Sequence, residues 1–274
     1  MRVSGAAIKG EQALRVSDFG HFDEPILLFG GPYSNLAALQ ALSEVIGDRP
    51  AICTGDVVAY GAEPNETVAL MRDLAIPCIA GNCERQVAEG ALDCGCGFED
   101  GTACDLLSKG WYDHLSRACT AETISWLDAQ PELGTFTQNG RRFAVIHGGV
   151  TAINRFIWPD SPEEVFREEI TALESRLGPI DGVVAGHSGI AFNRRIGDHL
   201  WINAGVIGLP PHDGRPETRY ALLTDGDILI ERLSYDHARA RAAMEAAGLT
   251  QGYHQTMTTG LWPSEHALPI SLRR

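Results

Sequence analysis

Several things are scarce or missing in this chain, and each absence narrows its possibilities. No run of about 18 apolar residues occurs, so the sequence offers no membrane-spanning helix. Met1-Arg2-Val3-Ser4-Gly5 leads into no apolar segment of the signal-peptide kind, and a cytoplasmic protein is expected. Basic residues are few: 22 Lys and Arg stand against 36 Asp and Glu, a formal net charge of −14. That imbalance repels nucleic-acid backbones and anionic lipid, which argues against general nucleic-acid or membrane binding. The seven cysteines are odd in number within a long chain, which argues against a disulfide framework. There is no internal repeat and no low-complexity linker, and nothing in the sequence sets an oligomeric state.

What is present is enough for one large core: 274 residues, 44% hydrophobic and 21% charged. Strand and helix signals alternate from residue 25 to about 210. Pro25 to Phe29 is a continuous apolar run ended by Gly30-Gly31, as a buried strand requires. Ser34 or Asn35 then caps a helix whose inner face is Leu36, Leu39, Leu42 and Ile46. Strands are expected over 50–55, 77–80, 142–147, 182–186 and 199–204. Asp225-Gly226 turns a closing hairpin. Helices are expected from Asn65, from Thr120, from Ser161-Pro162 and from Asp236. The order begins parallel and ends antiparallel, which suits an α/β fold with mixed sheets covered by helices. A single domain over 1–274 is expected. Within it, a Cys- and Gly-rich insertion or lid covers about 84–119, and a tail over about 236–274 packs on the surface.

Four short motifs each close an apolar strand-like run: Gly55-Asp56, Gly81-Asn82, His147-Gly148 and Gly186-His187. Side chains at strand ends converge on one rim of a sheet. A carboxylate, an amide oxygen and two imidazoles meeting there form a ligand set for a divalent cation with an open position. Any one of these dipeptides alone carries no information; four in series, each after a strand, are specific.

The order and spacing of these motifs resemble those of calcineurin-like phosphoesterases. The segment Gly55 to Glu66 is similar to the family's second block, and Trp201 to Pro210 to its last. The resemblance spans about residues 25–232. It implies a four-layer α-β-β-α sandwich of two mixed sheets and hydrolysis of phosphate monoesters or diesters. It also implies two metals about 3.5–4 Å apart, with Asp56 as the bridging aspartate. Small phosphorylated molecules are the expected partners.

The chain departs from that pattern in one place. The family's first block, Asp-x-His-Gly-Asn, is here Gly31-Pro32-Tyr33-Ser34-Asn35. Its fourth, Gly-His-x-His, is here Gly186-His187-Ser188-Gly189. All three losses, at Gly31, Tyr33 and Gly189, fall on the same metal site. The other site, Asp56, Asn82, His147 and His187, is complete. One divalent transition metal per chain (Zn, Mn or Fe) is therefore expected, with reduced or altered hydrolysis. The alternative is a weakly active or non-catalytic protein that binds a nucleotide or partner in the old cleft. Replacing Gly31, Tyr33 and Gly189 together by Asp, His and His is expected to rebuild the lost site.

Where the family carries a histidine acting on the leaving group, this chain has Cys83, followed by Glu84 and Arg85. Cys83 and Glu84 are both candidates for the proton donor, Arg85 for a phosphate clamp, Asn35 for a substrate contact and Tyr33 for the place of a lost ligand. Asp18, His21 and Asp23 are candidate substitute ligands, although a solvated loop is the plainer expectation for them. Cys94, Cys96 and Cys104, with His114 or Cys119, could hold a structural zinc or lend a thiolate to the depleted site. Free thiols in a glycine-rich lid are the plainer alternative.

Overall fold

The computed structural model describes residues 14–274. The expectation about a missing secretory segment falls on residues outside these. No helix among the described residues is long and apolar enough to cross a membrane.

Two sheets stack face to face. The four-stranded sheet has the order β10 (Asp227–Leu233), β9 (Thr218–Thr224), β2 (Ile26–Phe29), β3 (Ala51–Cys53). The six-stranded sheet runs β1 (Val16–Phe22), β4 (Leu133–Gln138), β5 (Arg141–Val145), β6 (Gly182–Ala185), β8 (His199–Asn203), β7 (Phe192–Ile196). Both are mixed: β2–β3, β5–β6 and β6–β8 pair in parallel, while β4–β5, β7–β8 and β9–β10 are antiparallel.

The continuous apolar runs follow from burial on both faces of a strand. In β2, Ile26 and Leu28 point between the sheets, where they meet Ile52, Phe136, Phe143, Val145, Val184 and Ile202. Leu27 and Phe29 point outward under α1 (Leu36–Ile46) and α2 (Pro64–Asp73). On the opposite outer face α6 (Glu163–Leu177) lays Phe166, Ile170 and Leu173 on Ala144, Val183 and Trp201. The result is the four-layer α-β-β-α sandwich. Burying one such side chain is worth about 1.5–3 kcal/mol, so these two-sided strands anchor the rim that follows them.

Several elements differ from the sequence expectation. Val16–Phe22 is a strand, not a loop. It is a half-exposed edge strand pairing β4, and its polar Asp18 and His21 hid the pattern. These side chains lie on the outermost strand of the six-stranded sheet, and neither lines the cleft described below. The run 77–80 makes only a single bridge, Cys78 to Cys53. Within 84–119 the structure holds α3 (Asn82–Glu89) and the 16-residue α4 (Ala103–Ala118), which Thr102 caps through the backbone N–H of Asp105. The inner face of α4 is Cys104, Ser108, Trp111, Tyr112 and Leu115. Its spacing is helical, but the mixture of Cys, Ser and aromatics masked the period. The chain closes with α5 (Ala121–Ala129) before β4, then α7 (His237–Ala246) and α8 (Tyr253–Thr259) after β10.

Candidate metal centre

The four motifs arrive at one place from two sheets. Asp56 follows β3 and Asn82 opens α3, both on the side of the four-stranded sheet; His147 follows β5 and His187 follows β6 in the six-stranded sheet. Asp56 and His187 both have left-handed backbone, at φ 55° and 61°. That conformation is costly outside glycine and is found where surrounding structure imposes it. Donor atoms of Asp56, His147 and His187 all lie within 4.8 Å of one another.

The hydrogen bonds show what this arrangement lacks. His147 Nδ1 is 2.8 Å from the Thr54 carbonyl oxygen, which only accepts, so Nδ1 carries the proton and Nε2 of the neutral ring offers a lone pair. Nε2 faces Asn82 Oδ1 at 3.0 Å, His187 Nδ1 at 3.1 Å and Asp56 Oδ2 at 3.3 Å. The Asn82 amide is oriented independently, because its Nδ2 donates to the Cys94 carbonyl at 2.8 Å. Four electron-rich atoms thus face one point inside the protein. A single proton on Nε2 cannot serve three acceptors; a divalent cation can. The donor set, one carboxylate, one amide oxygen and two imidazoles, suits zinc, manganese or iron.

Charges around the point agree. Burial works against ionised Asp56, but the neighbouring His147 outweighs it and holds the carboxyl below its ordinary range. Burial likewise pulls His147 down, yet the Asp56 carboxylate holds it above its usual value. Burial, then the His147 charge, drive His187 down to about 3, so this ring is neutral and available as a ligand.

Glu84 is fully buried and turned away from the cleft. It accepts from the backbone N–H groups of Gly81 at 2.6 Å, Asp56 at 2.7 Å and Val58 at 3.2 Å. It therefore holds the loops that carry Asp56 and Asn82 in register and is not placed to protonate a leaving group. Arg85 is not placed as a clamp either: its guanidinium pairs with Glu132. Asn35 caps α1 through the Ala38 N–H and donates to the Gly208 carbonyl at 3.0 Å, which commits its side chain to the fold. Cys83 and Tyr33 do line the cleft beside Asp56. Burial, then the Asp56 charge, push both the thiol and the phenol well above their ordinary values, so both keep their protons at neutral pH.

Side chains border positions 31 and 189. Gly31 sits at φ 40°, and a Cβ there would lie 2.6 Å from Tyr33 Cζ and 2.7 Å from Val206 Cγ1. Trp262, from the tail, comes within 3.7 Å of where a Gly189 Cβ would stand. Tyr33 packs edge-on against Tyr60, which packs in turn on Trp111 and Tyr253. Aromatic and apolar side chains thus surround positions 31, 33 and 189.

The cysteine expectations are corrected in part. Cys94 and Cys96 form a disulfide, although the odd count argued against a disulfide framework. Cys104 donates to Ser264 Oγ at 3.4 Å and His114 lies against the Ala62 carbonyl, so these residues assemble no four-ligand zinc set. Residues that the sequence did not single out also reach the site. Phe156 packs on the His187 ring at 4.4 Å between centroids, and Ser188 lines the cleft. Phe156 has no motif and comes in on the loop after β5; Ser188 is the variable position of the Gly186–Gly189 block and follows the left-handed turn at His187. Thr54 acts through its backbone, which leaves no trace in side-chain chemistry.

A family model of the calcineurin-like phosphoesterase superfamily domain matches residues 16–226, and the chain belongs to that superfamily. An uncharacterised protein of Methanocaldococcus jannaschii, MJ0912, is 29% identical over 231 residues, covering 76% of this chain and 86% of that one. Among solved structures, a metallophosphoesterase from Sphaerobacter thermophilus superposes with a TM-score of 0.68 at 20% identity, over 86% of this chain and 99% of that one. The hypothetical protein PH1004 from Pyrococcus horikoshii superposes at 0.73 and 15% identity, over 86% and 98%. These two likenesses speak for the fold. The superfamily is one of metal-dependent phosphoesterases.

Proposed function

We propose that this protein hydrolyses a phosphate monoester or diester at a site holding one divalent transition metal, with Asp56, Asn82, His147 and His187 as its ligands. The convergence of four electron-rich atoms on one buried point is the observation that carries the proposal. The metal would supply Lewis-acid polarisation of a phosphoryl oxygen and activation of water.

The chain's own groups do the rest. Thr54 fixes the His147 tautomer, and Glu84 fixes the backbone that presents Asp56. Cys83 and Tyr33, kept protonated by burial and lining the cleft with Asp56, can offer a proton to a departing oxygen. Among the described residues, those lining the cleft include no lysine or arginine, while Tyr33, Tyr60, Phe98, Phe156, Tyr253 and Trp262 give it apolar walls. Substrate charge is then met chiefly by the metal, and its non-phosphate part by aromatic surface.

One observation favours the second reading, a protein that binds phosphorylated molecules with little turnover. Tyr33 and Val206 crowd position 31, where relatives carry a ligand, which supports the loss of the two-sided clamp of a dinuclear centre. Elemental analysis of protein purified without added metal, followed by assays on aryl phosphate monoesters and diesters, separates the two. About one metal per chain, with a rate lost in His147→Ala, supports the hydrolase. One metal with no rate on either ester class supports the binding protein.

A further inference from the structure

Two sulfurs lie against the nitrogen of the Asn82 amide, whose oxygen faces the candidate metal centre. The Asn82 amide Nδ2 contacts Cys83 Sγ at 3.5 Å and Cys96 Sγ at 3.4 Å, while its Oδ1 faces His147. Cys96 shares the cleft wall with Asp56 and His187. The segment carrying it is held on several sides. Asp93 Oδ1 accepts from the Gly95 N–H at 2.8 Å, and Asn154 Nδ2 donates to the Gly95 carbonyl at 3.0 Å. Gly95 itself sits at φ 60°, where a Cβ would lie 2.9 Å from Gln86 Cγ. Cys96 is buried at this place.

Cys96 is bonded to Cys94, with a single residue between them. A disulfide stabilises a fold mainly by closing a loop in the unfolded chain, and a loop this small removes little entropy. Stability therefore gives a weak reason for this bond. Its chemical effect is to occupy a sulfur that otherwise borders the metal ligands.

We infer that Cys96, once released from Cys94, ligates the metal of Asp56, His147 and His187 as a thiolate, and that the disulfide is the state in which this ligand is withdrawn. The inference rests on the metal centre proposed above. Release is thiol–disulfide exchange with a dithiol reductant. One reductant thiolate attacks the Cys94–Cys96 bond, forms a mixed disulfide with one sulfur and expels the other. The second reductant thiol then displaces the remaining cysteine and closes the reductant's own disulfide. Two electrons and two protons pass from the dithiol to the cysteine pair. Cys96 gives its thiol proton to solvent when it binds the cation. A thiolate biases the centre toward zinc or iron and takes up a position otherwise open to water. Reduction is thus expected to tighten metal binding and slow hydrolysis.

Cobalt(II) substitution of the full chain tests this, since a thiolate ligand adds a sulfur-to-cobalt charge-transfer band in the near ultraviolet that oxygen and nitrogen ligands lack. Wild type would be loaded oxidised, and again after dithiothreitol treatment and desalting; Cys94→Ser, Cys96→Ser and Cys83→Ser would be loaded in parallel. The band is expected in reduced wild type, in reduced Cys83→Ser and in Cys94→Ser without reductant, and not in oxidised wild type or Cys96→Ser. Zinc affinity of reduced wild type should exceed that of Cys96→Ser by roughly tenfold or more. Cobalt bound without the band in both reduced wild type and Cys94→Ser overturns the thiolate ligand and leaves the metal centre standing. A band that survives Cys96→Ser and vanishes in Cys83→Ser assigns the wrong sulfur and overturns it too. No cobalt in any state, seen as missing visible d–d bands, overturns the metal centre itself. Circular dichroism checks the fold of each variant, and Cys94→Ser keeps every proposed donor in place.

Discussion

His147 Nδ1 meets the Thr54 carbonyl oxygen at 2.8 Å, a bond between the end of one sheet and the loop following a strand of the other. It ties the two layers together at the rim and fixes which imidazole nitrogen faces Asp56. Partners of this kind orient a metal-ligating histidine and raise its basicity. No substitution of Thr54 removes the bond, because it belongs to the main chain.

Asp56 carries the only formal charge among the four proposed ligands. Asp56→Ala is therefore expected to lower metal affinity more than Asn82→Ala, by at least a further factor of about ten. His147→Ala should abolish the metal-dependent rate and not merely raise KM, because the cation itself is lost. Chelator competition gives the affinities. An Asn82→Ala loss equal to or larger than that of Asp56→Ala would contradict this ranking.

Metal binding should release a proton near neutral pH. Asp56 holds His147 above its ordinary 6.5, so without metal the ring is partly protonated there, and Nε2 must lose that proton to act as a ligand. Affinity should rise with pH through the His147 titration and then level off. Calorimetry in buffers of different ionisation enthalpy counts the proton. A count of zero at pH 6.5 would mean that His147 is already neutral.

The contribution of Glu84 to the stability of metal-free protein should fall as pH rises from about 5 to about 8, while that of His187, lowered to about 3, runs the other way up to its ordinary 6.5. Burial, then the Asp56 charge, raise Glu84 from an ordinary 4.5 to about 7 in the folded chain. A group with a raised folded pKa contributes stability that is complete below its unfolded value and is lost as pH climbs through the folded one. His147, also raised, acts in the same direction. Thermal unfolding of the parent and of Glu84→Gln at pH 5 and pH 8, with and without zinc, isolates it: the parent should lose stability relative to the variant as pH rises. Zinc should flatten the trend, since it favours the ionised carboxylates and the neutral imidazole. Glu84→Gln should cost about 1–3 kcal/mol by weakening three buried backbone hydrogen bonds.

Rebuilding the depleted site by Gly31→Asp, Tyr33→His and Gly189→His should not yield a second metal. Positions 31 and 189 have φ of 40° and 76°, which strain any residue with a Cβ, and Val206 closes on position 31. The triple variant is expected to melt lower than the parent and to keep about one metal per chain. Two metals in a folded triple variant would show that Val206 and the loop can move aside.

The sequence by itself determined which residues lie at the rim. Apolar runs such as Pro25–Phe29 and Phe143–Ile146 must be buried on both faces, so the polar residue ending each run falls where the sheet stops. Four such endings could be placed from the pattern alone, and Asp56, Asn82, His147 and His187 do meet. Edge strands β1 and β7 were not legible, because a strand buried on one face with polar residues between loses the apolar signal. Helix α4 was hidden by its mixed inner face. Tertiary structure alone decided what the residues next to these four do. Glu84, Arg85 and Asn35 look functional in the chain, yet backbone N–H groups, Glu132 and the cap of α1 claim their side chains. Only packing could bring Cys96, Phe156 and Trp262 to the cleft across loops with no period of their own. Strand periodicity is a local property and can be read residue by residue. The partner of a polar side chain depends on what the fold places within about 3 Å of it, and no single stretch of sequence contains that information.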